Sequence, residues 1–107
     1  MKPDACEFRR AVCEVVAAFP AGMVATYGQV ACLAGWPSHA RMVGRVLSCV
    51  GAGEGIPCHR VVGASGRTAP CWPGQAAALR AEGVAFRANG HVDMKRCQWD
   101  ASALLPL

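Results

Sequence analysis

With 107 residues, 53% of them apolar and 17% charged, the chain is long enough to bury one hydrophobic core, too short for two, and too apolar to stay disordered. Its apolar runs are broken by charge or glycine well before the roughly twenty residues of a membrane helix, and Met1-Lys2-Pro3-Asp4 leads into no apolar signal core. A single cytoplasmic domain over 1–107 is therefore expected, and its net charge of +4, carried mostly by arginine, is compatible with a nucleic-acid partner without requiring one.

Residues 4–18 read as an amphipathic helix. Phe8, Val12, Val15, Val16 and Phe19 recur at helical spacing, with Glu7, Arg9, Arg10 and Glu14 on the other side. Asp4 complements the helix dipole at its start, and Pro20-Ala21-Gly22 ends it. Thr26 is a plausible N-cap for a second, short helix through Leu33. After the break at Gly35-Trp36-Pro37, Ser38 is expected to cap a third helix running to about Cys49. Met42, Val43, Val46, Leu47 and Val50 form its apolar stripe. Two helices joined by a glycine turn, the second bearing Arg41 and Arg45, make a helix-turn-helix pattern. The small residues Ala40 and Gly44 would let that second helix come close to another surface, with Arg41 reaching beyond it.

The next stretch, Ile56-Pro57-Cys58-His59-Arg60-Val61-Val62, places a thiol, an imidazole and a guanidinium side by side. Pro57 fixes its own φ and pushes Ile56 out of helical geometry, while the β-branched Val61-Val62 favours a short buried strand closed by Gly63. A cysteine held between a constrained turn and a buried strand suits a nucleophile, which needs a fixed approach to its target. Most cysteines are inert core residues, however, and neighbours in an extended segment point to opposite faces. Between Ser38 and Arg67 the cations Arg41, Arg45, Arg60 and Arg67 outnumber Glu54, so the basic surplus surrounds this motif.

Beyond it, the segment from Arg67 to Trp72 reads as an irregular loop and Gln75–Ala81 as a helix stopped by Gly83. Two short strands, 84–86 and 92–94, are expected around the turn Asn89-Gly90, with Trp99 and Leu104-Leu105 packing back on the core. The seven cysteines are odd in number and include no C-x-x-C pair. That argues against a disulfide framework and against a zinc site, including one built from Cys49, Cys58 and His59.

Thr26-Tyr27-Gly28-Gln29-Val30-Ala31, Ala34-Gly35, Ala40-Arg41-Met42-Val43-Gly44 and Ile56-Pro57-Cys58-His59-Arg60-Val61-Val62 together resemble the O6-alkylguanine-DNA alkyltransferases and their alkyltransferase-like relatives. Ser65-Gly66, Ala81-Glu82-Gly83-Val84 and Val92-Asp93-Met94 extend the match over nearly the whole chain. The resemblance implies a mainly helical fold with a small β element, a winged-helix-like helix-turn-helix domain of the alkyltransferase C-terminal type. It implies double-stranded DNA containing O6-alkylguanine as the partner, a monomer, no membrane, and no metal or organic cofactor. The helix with Ser38, Ala40, Arg41, Gly44 and Arg45 would lie in the minor groove. Arg41 would replace an extruded nucleotide in the stack, and Tyr27 would press the adjacent phosphate. Cys58 would accept the alkyl group, with His59 as base through a water and Glu82 orienting it. Leu47, Val61 and Trp72 would line the base pocket.

Several features depart from the family pattern. Chains that start at the DNA-binding domain are typical of the alkyltransferase-like proteins, which replace the acceptor cysteine and only sense the lesion; here Cys58 is present. Ser48-Cys49-Val50-Gly51 lacks the family's asparagine. Cys71-Trp72-Pro73-Gly74 stands where a Tyr-Ser-Gly-Gly type sequence often occurs, so Trp72 either stacks on the flipped base or caps the pocket. Two readings stay open: alkyl transfer to Cys58, or lesion sensing that recruits another pathway, with nucleotide-excision repair proteins as candidate partners. A helix-turn-helix regulator with a core thiol is the third, disfavoured by the conjunction of Cys58, His59 and Glu82.

Overall fold

The structure is a computed structural model that describes residues 4–50, 54–69, 72 and 74–99. The first helix, α1 (Ala5–Ala17), starts where Asp4 Oδ1 accepts hydrogen bonds from the N–H groups of Cys6 and Glu7, at 2.9 and 3.1 Å. Its stripe buries Phe8, Val12 and Val16 completely and Phe19 nearly so, while Val15 lies at the margin. Burial of each such side chain favours folding by about 1.5–3 kcal/mol.

β1 (Ala25–Thr26) leads directly into α2 (Tyr27–Ala34). Thr26 caps α2 as its sequence suggested, and the cap is reciprocal: Thr26 Oγ1 accepts from the Gln29 N–H while Gln29 Oε1 accepts from the Thr26 N–H. Gln29 also donates from Nε2 to the carbonyl of Trp99, and its Oε1 accepts from Gln98, tying the C-terminal segment to this helix. Gly35, at φ 98°, ends α2 in the left-handed region that glycine adopts without strain. Trp36 then packs edge-on against Phe8, with ring centroids 5.4 Å apart.

α3 (Ala40–Cys49) follows, with Val43 and Leu47 on its buried side. Its N-cap is His39 rather than Ser38, and no side chain caps it; the Ser38 hydroxyl instead lies 3.3 Å from His39 Nδ1. A single 3₁₀ turn, Cys58–Arg60, precedes β2 (Val61–Val62). β2 pairs in parallel with β1, Ala25 opposite Val61 and Thr26 opposite Val62. The β-branched pair Val61-Val62 reveals β2 in the sequence, whereas Ala25-Thr26 carries no such run and β1 is not legible there.

α4 (Gly74–Ala81) and α5 (Met94–Cys97) complete the described elements. The two C-terminal strands expected from the sequence are reduced to one antiparallel bridge, Phe86 to Val92. The turn itself forms: the Arg87 N–H donates to His91 O at 2.7 Å, and Asn89 Oδ1 accepts from the His91 N–H. The ladder stops there because Met94 already begins α5. Trp99 packs on Phe19 as expected, with centroids 4.7 Å apart, whereas Leu104 and Leu105 lie outside the described residues. Two apolar clusters flank the small sheet. One joins α1, α2 and α3; the other gathers Val24, Val62, Leu79, Val84, Val92 and Cys97. Among the described residues, no helix is long and apolar enough to cross a membrane.

A thiol beside an apolar cavity

Pro57, at φ −78° and ψ 64°, is the centre of an inverse γ-turn closed by a 2.8 Å hydrogen bond from the Cys58 N–H to Ile56 O. Its ring holds the required φ. The 3₁₀ turn then carries the chain into β2, so Cys58 is fixed on one side by a turn and on the other by the sheet. The half-buried Cys58 opens onto a cavity of about 450 Å³ whose wall is mostly apolar. Tyr27 from the start of α2 and Gly44, Leu47 and Ser48 from α3 form one side; Ala69 and Trp72 form the other.

Two of the three residues expected in the pocket, Leu47 and Trp72, do line it. Val61 does not: as a β2 residue it faces the core and is wholly buried. Trp72 lines the cavity and is 40% exposed. Cys71 lies outside the described residues.

Behind Cys58, His59 Nε2 approaches Glu82 Oε2 to 2.6 Å. Arg60 engages the same carboxylate through Nε and Nη2, at 2.8 to 3.2 Å, and its Nη1 donates to Phe19 O at 2.7 Å. The Gly22 N–H donates to Glu82 Oε1. The Arg60 guanidinium, joined by His59 and the Gly22 N–H, holds the Glu82 carboxyl down at about 2. An ionised carboxylate only accepts, so the imidazole carries its proton on Nε2 when neutral, leaving the Nδ1 lone pair as the acceptor. Arg60, whose charge counts toward the basic surplus in the sequence, is therefore engaged internally and not offered to a ligand.

Sequence reasoning did not single out Gln75, which is 1% exposed. Its Nε2 donates to the carbonyls of His59 and Val61, at 3.1 and 2.9 Å, and its Oε1 accepts from the Ala69 N–H at 2.7 Å. One amide thus braces the Cys58–Arg60 turn and the Ala69 side of the cavity together. A polar residue at the start of an alanine-rich helix was the available signal, and it is a weak one.

Burial pushes the Cys58 thiol above its ordinary value, with neighbouring Cys13 acting in the same direction. Since the thiolate is the nucleophile, Cys58 is expected to react with iodoacetamide at pH 7 more slowly than the exposed Cys6 and Cys32. Peptide mass spectrometry of timed samples checks this; Cys58 reacting first would contradict it.

Arg41 and Arg45 are exposed on α3, and neither forms an ion pair among the described residues. Ala40 and Gly44 share that helix, Gly44 at the cavity and close to the Tyr27 ring. Ser38 is exposed just ahead of it.

The profile of the family described as "6-O-methylguanine DNA methyltransferase, DNA binding domain" matches residues 7–84. A protein of Escherichia coli K12 called "DNA base-flipping protein" is 45% identical over 96 residues, covering 87% of this chain and 74% of that protein. Schizosaccharomyces pombe Atl1, solved in complex with damaged DNA containing O6-carboxymethylguanine, superposes with a TM-score of 0.82 at 28% identity, covering 94% of this chain and 99% of that one. Mycobacterium tuberculosis OGT in complex with DNA matches at TM-score 0.67 and 30% identity, over 78% of this chain and 51% of that one.

Proposed function

The chain belongs to the 6-O-methylguanine DNA methyltransferase family by its DNA-binding domain, and on that premise we propose that it extracts O6-alkylated guanine from duplex DNA and transfers the alkyl group to Cys58. The observation that carries the reading is a thiol at the wall of an apolar cavity, followed in the same turn by an imidazole that the Glu82 carboxylate, from just past the end of α4, holds at 2.6 Å. In this reading Ser38, Ala40, Arg41, Gly44 and Arg45 meet the minor groove, Arg41 fills the gap in the stack, and Tyr27 presses the neighbouring phosphate. The extruded base enters between Tyr27, Leu47 and Trp72. The thiol proton passes through a water to His59 Nδ1, the S–C bond forms as the C–O6 bond breaks, and the proton held on His59 returns through water to the guaninate, which restores neutral guanine. Nothing in the site would remove a thioether, so each molecule acts once.

A second reading is favoured by one observation: Cys58 lies half-buried against a mostly apolar wall, which disfavours its thiolate. In it the chain binds the flipped base without transfer and marks the lesion for another repair pathway. The E. coli relative's name speaks of base flipping alone. Incubation with a duplex containing one O6-methylguanine, followed by intact-protein mass measurement, separates the two. A gain of one methyl that disappears in Cys58→Ser supports transfer; unchanged mass with tight, lesion-selective binding supports sensing. Equal affinity for damaged and undamaged duplex would sink both.

A further inference from the structure

We propose that the cleft between the 63–67 turn and the start of α5 is a second phosphate-binding site, which grips the backbone of the same duplex at a distance from the lesion. The proposal rests on the reading that this chain binds damaged DNA. The cleft, of about 500 Å³, is lined by Ser65, Arg87, Val92, Asp93 and Lys95 among others. Arg87 and Lys95 are exposed, and neither is ion-paired among the described residues. Asp93 offsets one of these two charges and leaves the cleft net positive. An arginine fork, an ammonium and a serine hydroxyl on one concave wall suit a tetrahedral oxyanion.

The walls are fixed. The Val92 N–H donates to Gly66 O at 2.9 Å, and a Cβ on Gly66, whose φ is 88°, would meet Val92 O at 2.3 Å. That close approach admits only glycine, so the turn carrying Ser65 is locked against the segment carrying Arg87 and Lys95. The surroundings add to the field. Arg67 and Arg96 are exposed, and Arg80 is held 4.3 Å over the Phe86 ring. Glu82, the nearest acid in sequence to Arg80, is already engaged by Arg60 and His59. The uncompensated positive charge of the described chain is therefore greater along 65–96 than on α3.

Its position favours DNA over an acidic protein. Ser65 lines this cleft and Ala69 the lesion cavity, and four residues of chain span at most about 14 Å. That is the rise of about four nucleotides along one strand. A duplex delivering a base to Cys58 thus brings phosphates within reach of Arg87 and Lys95.

The test compares wild type, the double variant Arg87→Ala/Lys95→Ala and the charge-preserving Arg87→Lys/Lys95→Arg, on O6-methylguanine and undamaged duplexes from 50 to 200 mM salt. Two lost contacts should reduce the slope of log K against log salt by about 1.8, so the affinity gap between wild type and the alanine variant closes about 12-fold across that range. The ratio of damaged to undamaged affinity should stay constant, and the charge-preserving variant should behave as wild type, which also controls for folding. Competing inorganic phosphate at constant ionic strength should weaken wild type only modestly, since one free anion cannot replace a backbone; phosphate that reduces wild type to the level of the alanine variant would assign the cleft to a free anion instead. If wild type binds the lesion but the alanine variant keeps its slope, the cleft makes no DNA contact and its charge serves an acidic protein instead. If wild type itself ignores the lesion, the underlying reading of the chain is what fails.

Discussion

Glu82→Gln is expected to lower the melting temperature by at least about 10 °C, corresponding to about 2–3 kcal/mol lost from a domain of this size. The carboxylate binds Arg60 through two nitrogens, meets His59 at 2.6 Å and accepts from the Gly22 N–H. A neutral amide would leave the largely buried Arg60 guanidinium without its counter-charge. The variant should also reshape the acid limb. Because the folded-state pKa is depressed to about 2 from 4.5, the Glu82 contribution is fully present above about pH 4.5 and is lost as the pH falls toward 2. Wild type should therefore lose stability across that window, and Glu82→Gln should lose less of it. Chemical denaturation at stepped pH reads both effects; parallel curves for the two proteins would show that the carboxylate is not the hub described here. If His59 is the base, alkyl transfer should slow in the same variant, because the amide no longer dictates which ring nitrogen carries the proton.

Arg41→Ala is expected to reduce affinity for an O6-alkylguanine duplex by about 30-fold while leaving the melting temperature unchanged. Extruding a nucleotide costs a few kcal/mol, and loss of about 2 kcal/mol of compensation from the side chain that fills the gap gives that factor. Stability should not follow, since Arg41 is exposed and unpaired among the described residues. Arg41→Lys should recover part of the loss, because it restores charge but not a planar group able to stack. Titration of a fluorescently labelled duplex measures this. Equal affinities for wild type and Arg41→Ala would remove the finger role from α3.

Different parts of the molecule were legible for different reasons. The stripe Phe8, Val12, Val16 and Phe19 announces α1 because helical burial imposes a period, and Thr26 with Gln29 marks the start of α2 because the two satisfy each other's backbone partners. Cys58, His59 and Glu82 could be named from the motif, and the structure brings His59 and Glu82 into contact. Long-range hydrogen bonding was not legible. Arg60 reads as a surface cation until Glu82 and Phe19 close around it, and Gln75 as an ordinary helical amide until His59, Val61 and Ala69 converge on it. Val61 is expected in the pocket from the resemblance alone, and its place in the buried β2 pair turns it into the core instead. The expected strand 92–94 failed because four residues from Met94 gain more as a helical turn behind Asp93 than as an extension of one bridge.

The claim beneath both functional readings is that the cavity at Cys58 receives the alkylated base. Mixing the protein with a duplex bearing one O6-(trideuteromethyl)guanine, then treating it with iodoacetamide and mapping its peptides, tests that claim at the atom concerned. The account predicts that the Cys58 peptide either carries the deuterated methyl or is shielded from iodoacetamide, and that an undamaged duplex produces neither effect. Iodoacetamide labelling of Cys58 at the same rate with and without the lesion, and no transferred methyl, would contradict it.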